Sequence, residues 1–113
     1  MNSKEAIAAL LALGQKTRLD TYRLLVEQGP VGLPVTEIST RLDVNISTMS
    51  RHLGHLQRTG LLRSWRFERQ IIYAVEDNGI ENLIGFLTEN CCRESSDACK
   101  RTASQCNVIK NTS

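Results

Sequence analysis

No run of apolar residues approaches the roughly 20 needed to cross a bilayer. The stretch Ala6 to Leu13 could imitate the core of an export signal, but Glu5 cancels Lys4 ahead of it and helical spacing explains it equally well. The sequence therefore predicts a cytoplasmic protein with no targeting segment and no membrane partner. Cysteine is missing from the first 90 residues and then occurs at Cys91, Cys92, Cys99 and Cys106. A disulfide framework would staple a whole small fold, whereas these four could staple only a tail. Proline occurs twice, both times inside Gly29 to Pro34, a firm break too short to be a domain linker. Acidic residues are nearly missing from one segment. Residues 47–75 hold Arg51, Arg58, Arg63, Arg66 and Arg69 against Glu68 alone, while the residues before them balance and those after them carry a small acidic excess. An all-arginine basic segment suits phosphate or base contacts, because the guanidinium fork bonds bidentately; charge alone is equally compatible with a solvated face.

What remains is an ordinary globular composition. The chain has 113 residues, 41% of them hydrophobic and 23% charged, which predicts one domain with one core. Periodicity predicts mostly helix. Ser3 can cap a first helix that places Ile7, Leu10 and Leu11 on one face and ends near Gly14. A second helix spans about Lys16 to Gln28 with Leu19, Tyr22, Leu25 and Val26 inward. After the proline loop, Val35 to Leu42 makes a short helix with Ile38 and Leu42 toward the core, and Asp43-Val44-Asn45 makes a three-residue turn. Asn45 can cap the next helix, Ile46 to about Thr59, in which Met49, Leu53 and Leu56 recur at i, i+4 and i+7. That spacing buries one face and leaves Ser47, Thr48, Ser50, Arg51, His52 and His55 on the other. Leu61 to Val75 reads as two strands, with Trp65 as packing. The tip near Arg66-Phe67-Glu68-Arg69 lacks the glycine or asparagine of a tight hairpin, so a strained or longer turn is expected. A last helix, about Asn78 to Asn90, carries Ile80, Leu83, Ile84 and Leu87 on one stripe. These elements predict a domain over residues 1–90 and a polar, cysteine-containing tail over 91–113.

A short helix, a three-residue turn and a second helix with an exposed Ser-Thr-x-Ser-Arg face form a helix-turn-helix, and the basic hairpin makes it a winged one. Hydroxyls and a helix amino end bond phosphates, and arginine can reach guanine in the major groove. The expected fold class is thus mainly α with a β-hairpin wing, in the order α-α-α-α-β-β-α, and the expected partner is double-stranded operator DNA. The residues assigned to it are Ser47, Thr48, Ser50, Arg51 and His52 on the helix with Arg66 and Arg69 on the wing.

Thr17-Arg18-Leu19, Tyr22-Arg23-Leu24-Leu25, "NISTMSRHLGHLQRTGLL" from Asn45 to Leu62 and "RSWRFERQIIYAV" from Arg63 to Val75 resemble the ArsR/SmtB family of winged-helix repressors. The likeness runs from about residue 6 to residue 90. It implies a dimer that represses a metal-resistance operon and leaves DNA when an inducer binds. The familiar arsenic-sensing members place paired cysteines in the helix before the turn, where this chain has Pro34-Val35-Thr36. The zinc-sensing members use Asp and His on the last helix, and here no His lies between Asn78 and Asn90. Cys91-Cys92-x6-Cys99 is instead similar to an atypical subgroup that binds trivalent arsenic at the end of that helix.

The chemistry of three thiolates agrees with that likeness. Trivalent arsenic or antimony is soft, prefers sulfur and suits three-coordinate pyramidal geometry, whereas zinc usually takes four ligands. Cys91, Cys92 and Cys99 are the expected ligands, with Cys106 a bystander or a fourth. On a continuous helix Cys92 and Cys99 stand roughly 10 Å apart, so ligation implies that the intervening chain loops back. Zinc, cadmium or lead binding and a thiol redox switch remain open alternatives. A thiol enzyme does not fit: there is no Cys-x-x-Cys, no thioredoxin-like strand pattern and no evident base, and no organic cofactor is expected. Since a palindromic operator demands two-fold symmetry, the stripes Ile7, Leu10, Leu11 and Ile80, Leu83, Ile84, Leu87 are assigned to a homodimer interface formed by the first and last helices.

Overall fold

The fold is that of a computed structural model, which describes residues 1–94, with side-chain environments through Glu89. Five helices and three strands follow one another as α1 (Ser3–Leu13), α2 (Lys16–Gln28), β1 (Leu33–Pro34), α3 (Val35–Leu42), α4 (Ile46–Arg58), β2 (Leu62–Phe67), β3 (Gln70–Val75) and α5 (Asp77–Glu94), with a single 3-10 turn at Gly29–Val31. The chain divides into a unit Met1–Leu83 and a unit Ile84–Ser113. No described helix is long and apolar enough to cross a membrane.

Helices α1, α2 and α4 each begin at a residue whose side chain satisfies a free N–H of the first turn. For α1 this is Asn2 and not Ser3: the Asn2 side chain accepts from the Glu5 N–H at 2.8 Å, and the Asn2 N–H donates to the Glu5 carboxylate at 3.0 Å, a reciprocal capping box. Gln15 caps α2 through the Arg18 N–H. Pro34 ends β1 in extended geometry directly before α3.

The buried face of α1 is Ala6, Ala9 and Ala12, while Ile7, Leu10 and Leu11 are exposed. Small residues let a helix approach its neighbours closely, so the large side chains fall on the outer side. On α2 the inward residues are Thr21, Tyr22 and Leu25. Leu19 and Val26, expected inward, are exposed, because a helix packed on one side buries only a narrow stripe and the Thr21 hydroxyl, bonded to the Thr17 carbonyl at 2.7 Å, occupies part of it. Leu25, Ile38, Met49, Leu53, Leu56 and Leu61 are the largest fully buried side chains and form the centre of the core.

The sheet has the antiparallel order β1-β3-β2. The hairpin register runs from Leu62 opposite Val75 to Phe67 opposite Gln70, and β1 adds Leu33 opposite Tyr73 and Pro34 opposite Ile72. The two-residue β1 was read from sequence as loop, since two residues carry no alternation. It ties the start of α3 to the wing. Two further differences concern α5, which begins at Asp77 and continues through Glu94, so that Cys91 and Cys92 belong to the helix and the chain does not leave it at Asn90. Cys99 and Cys106 lie outside the described residues.

The α4–β2 turn and the start of α5 meet at Gly79. The Leu61 N–H donates to the Leu56 carbonyl at 3.1 Å and the Glu76 N–H donates to the Leu61 carbonyl at 3.0 Å. A Cβ on Gly79 would collide with the Gly60 carbonyl oxygen, a backbone atom that no side-chain rotation can move. Gly79→Ala is therefore expected to destabilise the fold by about 1–3 kcal/mol or more, seen as a lower midpoint in urea unfolding with an unchanged slope.

Candidate nucleic-acid interface

The turn between α3 and α4 is built from backbone bonds and one side chain. Asp43 adopts the left-handed conformation at φ 55°, its N–H donating to the Ser39 and Thr40 carbonyls, and the Val44 N–H donates to the Ser39 carbonyl at 3.0 Å. This ends α3 and reverses the chain. Asn45 then caps α4, its side-chain oxygen accepting from the Ser47 N–H at 2.8 Å and the Ser47 hydroxyl at 2.6 Å. Met49, Leu53 and Leu56 are fully buried, which fixes the roll of α4 and turns Ile46, Ser47, Ser50 and Arg51 outward. Thr48, His52 and His55 are half-buried at the edges of that face.

The wing stands beside this helix. A groove of about 230 Å³ runs between them, lined by Thr36 of α3, Ile46 and Ser50 of α4, and Arg69, Gln70 and Ile71 at the wing tip. Ser50 and Arg69, 19 residues apart in the chain, thus face one channel. Arg66 is exposed on β2 but does not line the groove. Arg63 has a structural use: its guanidinium donates to the Pro30 carbonyl at 3.2 Å and lies 5.0 Å from the centroid of the Trp65 ring, holding the base of the wing. Among the described residues the ion pairs are Lys16–Asp20 and Glu37–Arg41, so Arg51, Arg58, Arg66 and Arg69 are free to meet an external anion. Ile46, Thr36 and Gln70 were not assigned to the site from sequence. Ile46 is 48% exposed, where an aliphatic group can contact a thymine methyl.

The wing tip is a two-residue connection, Glu68-Arg69, with φ of 48° and 71° at residues that carry side chains. Two successive left-handed residues are the requirement of a type I′ hairpin, which Asn-Gly meets without strain. Each left-handed non-glycine residue costs roughly 1–2 kcal/mol. The strain expected from sequence is present, in a turn shorter than the four-residue span read there. It holds the Arg69 guanidinium at the extreme of the wing. Glu68→Asn should raise the unfolding midpoint and leave duplex affinity intact or higher, because an acid is removed. Adding Arg69→Gly should raise stability further and lower duplex affinity. Thermal unfolding and fluorescence anisotropy on the same samples separate the two effects.

His52 was read as an exposed contact, but its Nδ1 lies 3.3 Å from Nη1 of Arg18, where the guanidinium donates and the ring accepts. That geometry requires a neutral ring. Burial lowers the His52 pKa first, and the Arg18, Arg51 and His55 charges lower it further. His55 is lowered in the same way, by burial and then by Arg18 and Arg58. The pairing of Arg18 with His52 spans 34 residues and no local spacing signals it.

The free arginines, the outward face of α4 and the adjoining wing make up a basic surface whose chemistry suits a nucleic acid. A helix-turn-helix domain profile matches residues 13–64, from the end of α1 into β2. The chain is 28% identical over 92 residues to the transcriptional activator HlyU of Vibrio cholerae, covering 81% of this chain and 82% of that protein. The solved structure of HlyU aligns with a TM-score of 0.64, over 80% of this chain and 96% of that one. An ArsR-like transcriptional regulator from Rhodococcus aligns with a TM-score of 0.65 at 24% identity, over 96% of this chain and 93% of that one. The homodimeric winged helix-turn-helix domain Mb0332 from Mycobacterium bovis, a possible ArsR-family regulator, aligns at 0.63 with 21% identity, over 82% and 84% of the two chains. These last two likenesses bear on the fold alone. Fold and relatives together define the class: the chain is a winged helix-turn-helix protein, similar in sequence to the transcriptional activator HlyU and sharing its fold with ArsR-like regulators.

Proposed function

We propose that the protein is an arsenite-responsive repressor, which binds operator duplex as a homodimer and leaves it when trivalent arsenic or antimony is captured by the thiolates of Cys91, Cys92 and Cys99. The observation that carries the DNA part of this reading is the groove that joins Ser50 of α4 to Arg69 of the wing, beside arginines that have no ion-pair partner among the described residues. Readout of one half-site by one such surface gains its specificity when a two-fold copy reads the second.

Support for the dimer comes from apolar side chains left in solvent. Ile7, Leu10 and Leu11 on α1 are 56%, 44% and 67% exposed, and Ile84 and Leu87 on α5 are 52% and 56% exposed. Such residues in rows on terminal helices are the usual material of an interface. Leu83 is buried within its own chain and Ile80 is half-buried, so the proposed α5 contribution narrows to Ile84 and Leu87.

The inducer site is assigned to the thiols because trivalent arsenic and antimony are soft ions that prefer sulfur. Cys91 and Cys92 sit on consecutive positions near the end of α5. Capture of one ion by both thiolates unwinds that turn. Because α5 also carries Ile84 and Leu87, unwinding alters how two copies pair and moves the two recognition helices off their half-site spacing.

The test is operator affinity, measured by anisotropy, as arsenite is added to the reduced protein, with the oligomeric state followed in parallel. Release at one ion per chain supports the proposal. Release by zinc, cadmium or lead but not arsenite, or by oxidant alone, assigns the thiols to a different signal and overturns the arsenite assignment.

A further inference from the structure

A second cleft meets the wing groove at Ser50, which lines both. It has a volume of about 490 Å³, and its lining includes Arg18, Ser50, Arg51, His52, His55 and Arg58, with no carboxylate from the described residues. Three guanidiniums, two imidazoles and a hydroxyl therefore converge on one concavity. The arrangement is built and not merely a basic surface. Arg18 is tied down by a 2.7 Å bond from Nε to the Ala12 carbonyl, which leaves its two terminal nitrogens directed away from the backbone, one of them toward His52. Arg51, His55 and Arg58 come from the outer side of α4, at i, i+4 and i+7, so the helix presents them as a row.

Crowding like charges around a cleft is unfavourable; burial lowers the pKa of both imidazoles first, and the neighbouring guanidiniums lower it further. An anion of high charge density would relieve that repulsion and accept from the forked donors at once. Arginine forks match the oxygen pairs of a phosphate group in geometry as well as charge. We propose that this cleft is a phosphate-binding site, with Arg18 and Arg58 as its principal donors and Ser50 and His52 completing the ring of hydrogen-bonding groups.

The phosphate can come from two sources. One is the duplex backbone, since a cleft bordered by Arg51 adjoins the base-reading face, and a phosphate clamped there would set the register of α4 in the groove. The other is a free phosphorylated small molecule. The first source rests on the DNA-binding reading given above; the second does not.

Two variants and two measurements test the site. Arg18→Gln removes the tethered donor, and Arg58→Gln removes an exposed one with no bond to lose elsewhere, so a folding defect in the first leaves the second informative. Duplex affinity is measured against salt for the full chain on operator and random DNA. Chemical shifts of the His52 and His55 rings are followed as inorganic phosphate and then pyrophosphate are added without DNA. A duplex source predicts that each variant lowers the salt slope by about 0.9 and weakens both duplexes alike, because one phosphate contact is lost. A free-ligand source predicts saturable shifts of the His52 ring in wild type, lost in both variants, with the salt slope unchanged. If folded Arg58→Gln keeps the wild-type salt slope and the wild-type ring shifts do not move with either anion, the site is overturned. Absence of duplex binding by the wild type would instead refute the DNA reading and leave the phosphate titration to decide this cleft.

Discussion

Arg51→Ala is expected to lower the preference for operator over random duplex by roughly 5- to 150-fold, which corresponds to about 1–3 kcal/mol for one lost base-edge contact. Arg51 is exposed on the outward face of α4, whose roll is fixed by three fully buried residues, and no described acid pairs with it. In the proposed complex its guanidinium enters the major groove with the helix. Arg66 and Arg69 stand on the wing and are assigned to the backbone in the proposed complex, so Arg66→Ala or Arg69→Ala should weaken operator and random DNA equally while reducing the salt slope by about 0.9 each. Competition binding at several salt concentrations distinguishes the two patterns. Equal losses on both duplexes for Arg51→Ala would move that residue from base readout to the backbone.

Replacement of any one of Cys91, Cys92 and Cys99 by serine should abolish release of operator by arsenite and leave the affinity for operator in its absence unchanged. A serine hydroxyl is a hard donor that stays protonated near neutral pH, so the ion would keep only two soft ligands. The DNA face is remote in sequence from these positions and shares no residue with them. Cys106→Ser should retain the full response. Titration of each variant with arsenite, read by ultraviolet thiolate absorbance and by operator anisotropy, gives binding and release separately. Loss of response in Cys106→Ser with retention in Cys99→Ser would exchange those two ligands.

The parts of the fold that sequence made legible are those with local punctuation. Gly29-Pro30 closes α2, Pro34 opens α3 and Asn45 caps α4, so those helices are found almost residue for residue, and the i, i+4, i+7 spacing of Met49, Leu53 and Leu56 identifies the buried face. The α1 core was not legible, because close packing is made there by Ala6, Ala9 and Ala12 and a search for bulky stripes selects the opposite side. Leu19 and Val26 mislead for a related reason: an apolar residue beside a buried stripe is not thereby in it. The two-residue β1 gives no periodic signal, and the end of α5 runs past Asn90 since nothing at that position breaks a helix. Within the site, the α4 face and the wing arginines follow from pattern and charge, together with the family resemblance. The wing groove and the Arg18–His52 pair do not, since each joins residues far apart in the chain that only tertiary packing brings together.

The central claim is that thiolate capture and operator binding are coupled through the protein and do not compete for the same atoms. Linkage makes the coupling reciprocal, so operator must weaken arsenite binding by the factor by which arsenite weakens operator binding, on the order of 5- to 150-fold. The direct measurement is the arsenite affinity of the reduced protein, alone and with saturating operator duplex. Equal factors in the two directions are the predicted result; an arsenite affinity unaffected by operator would contradict the account.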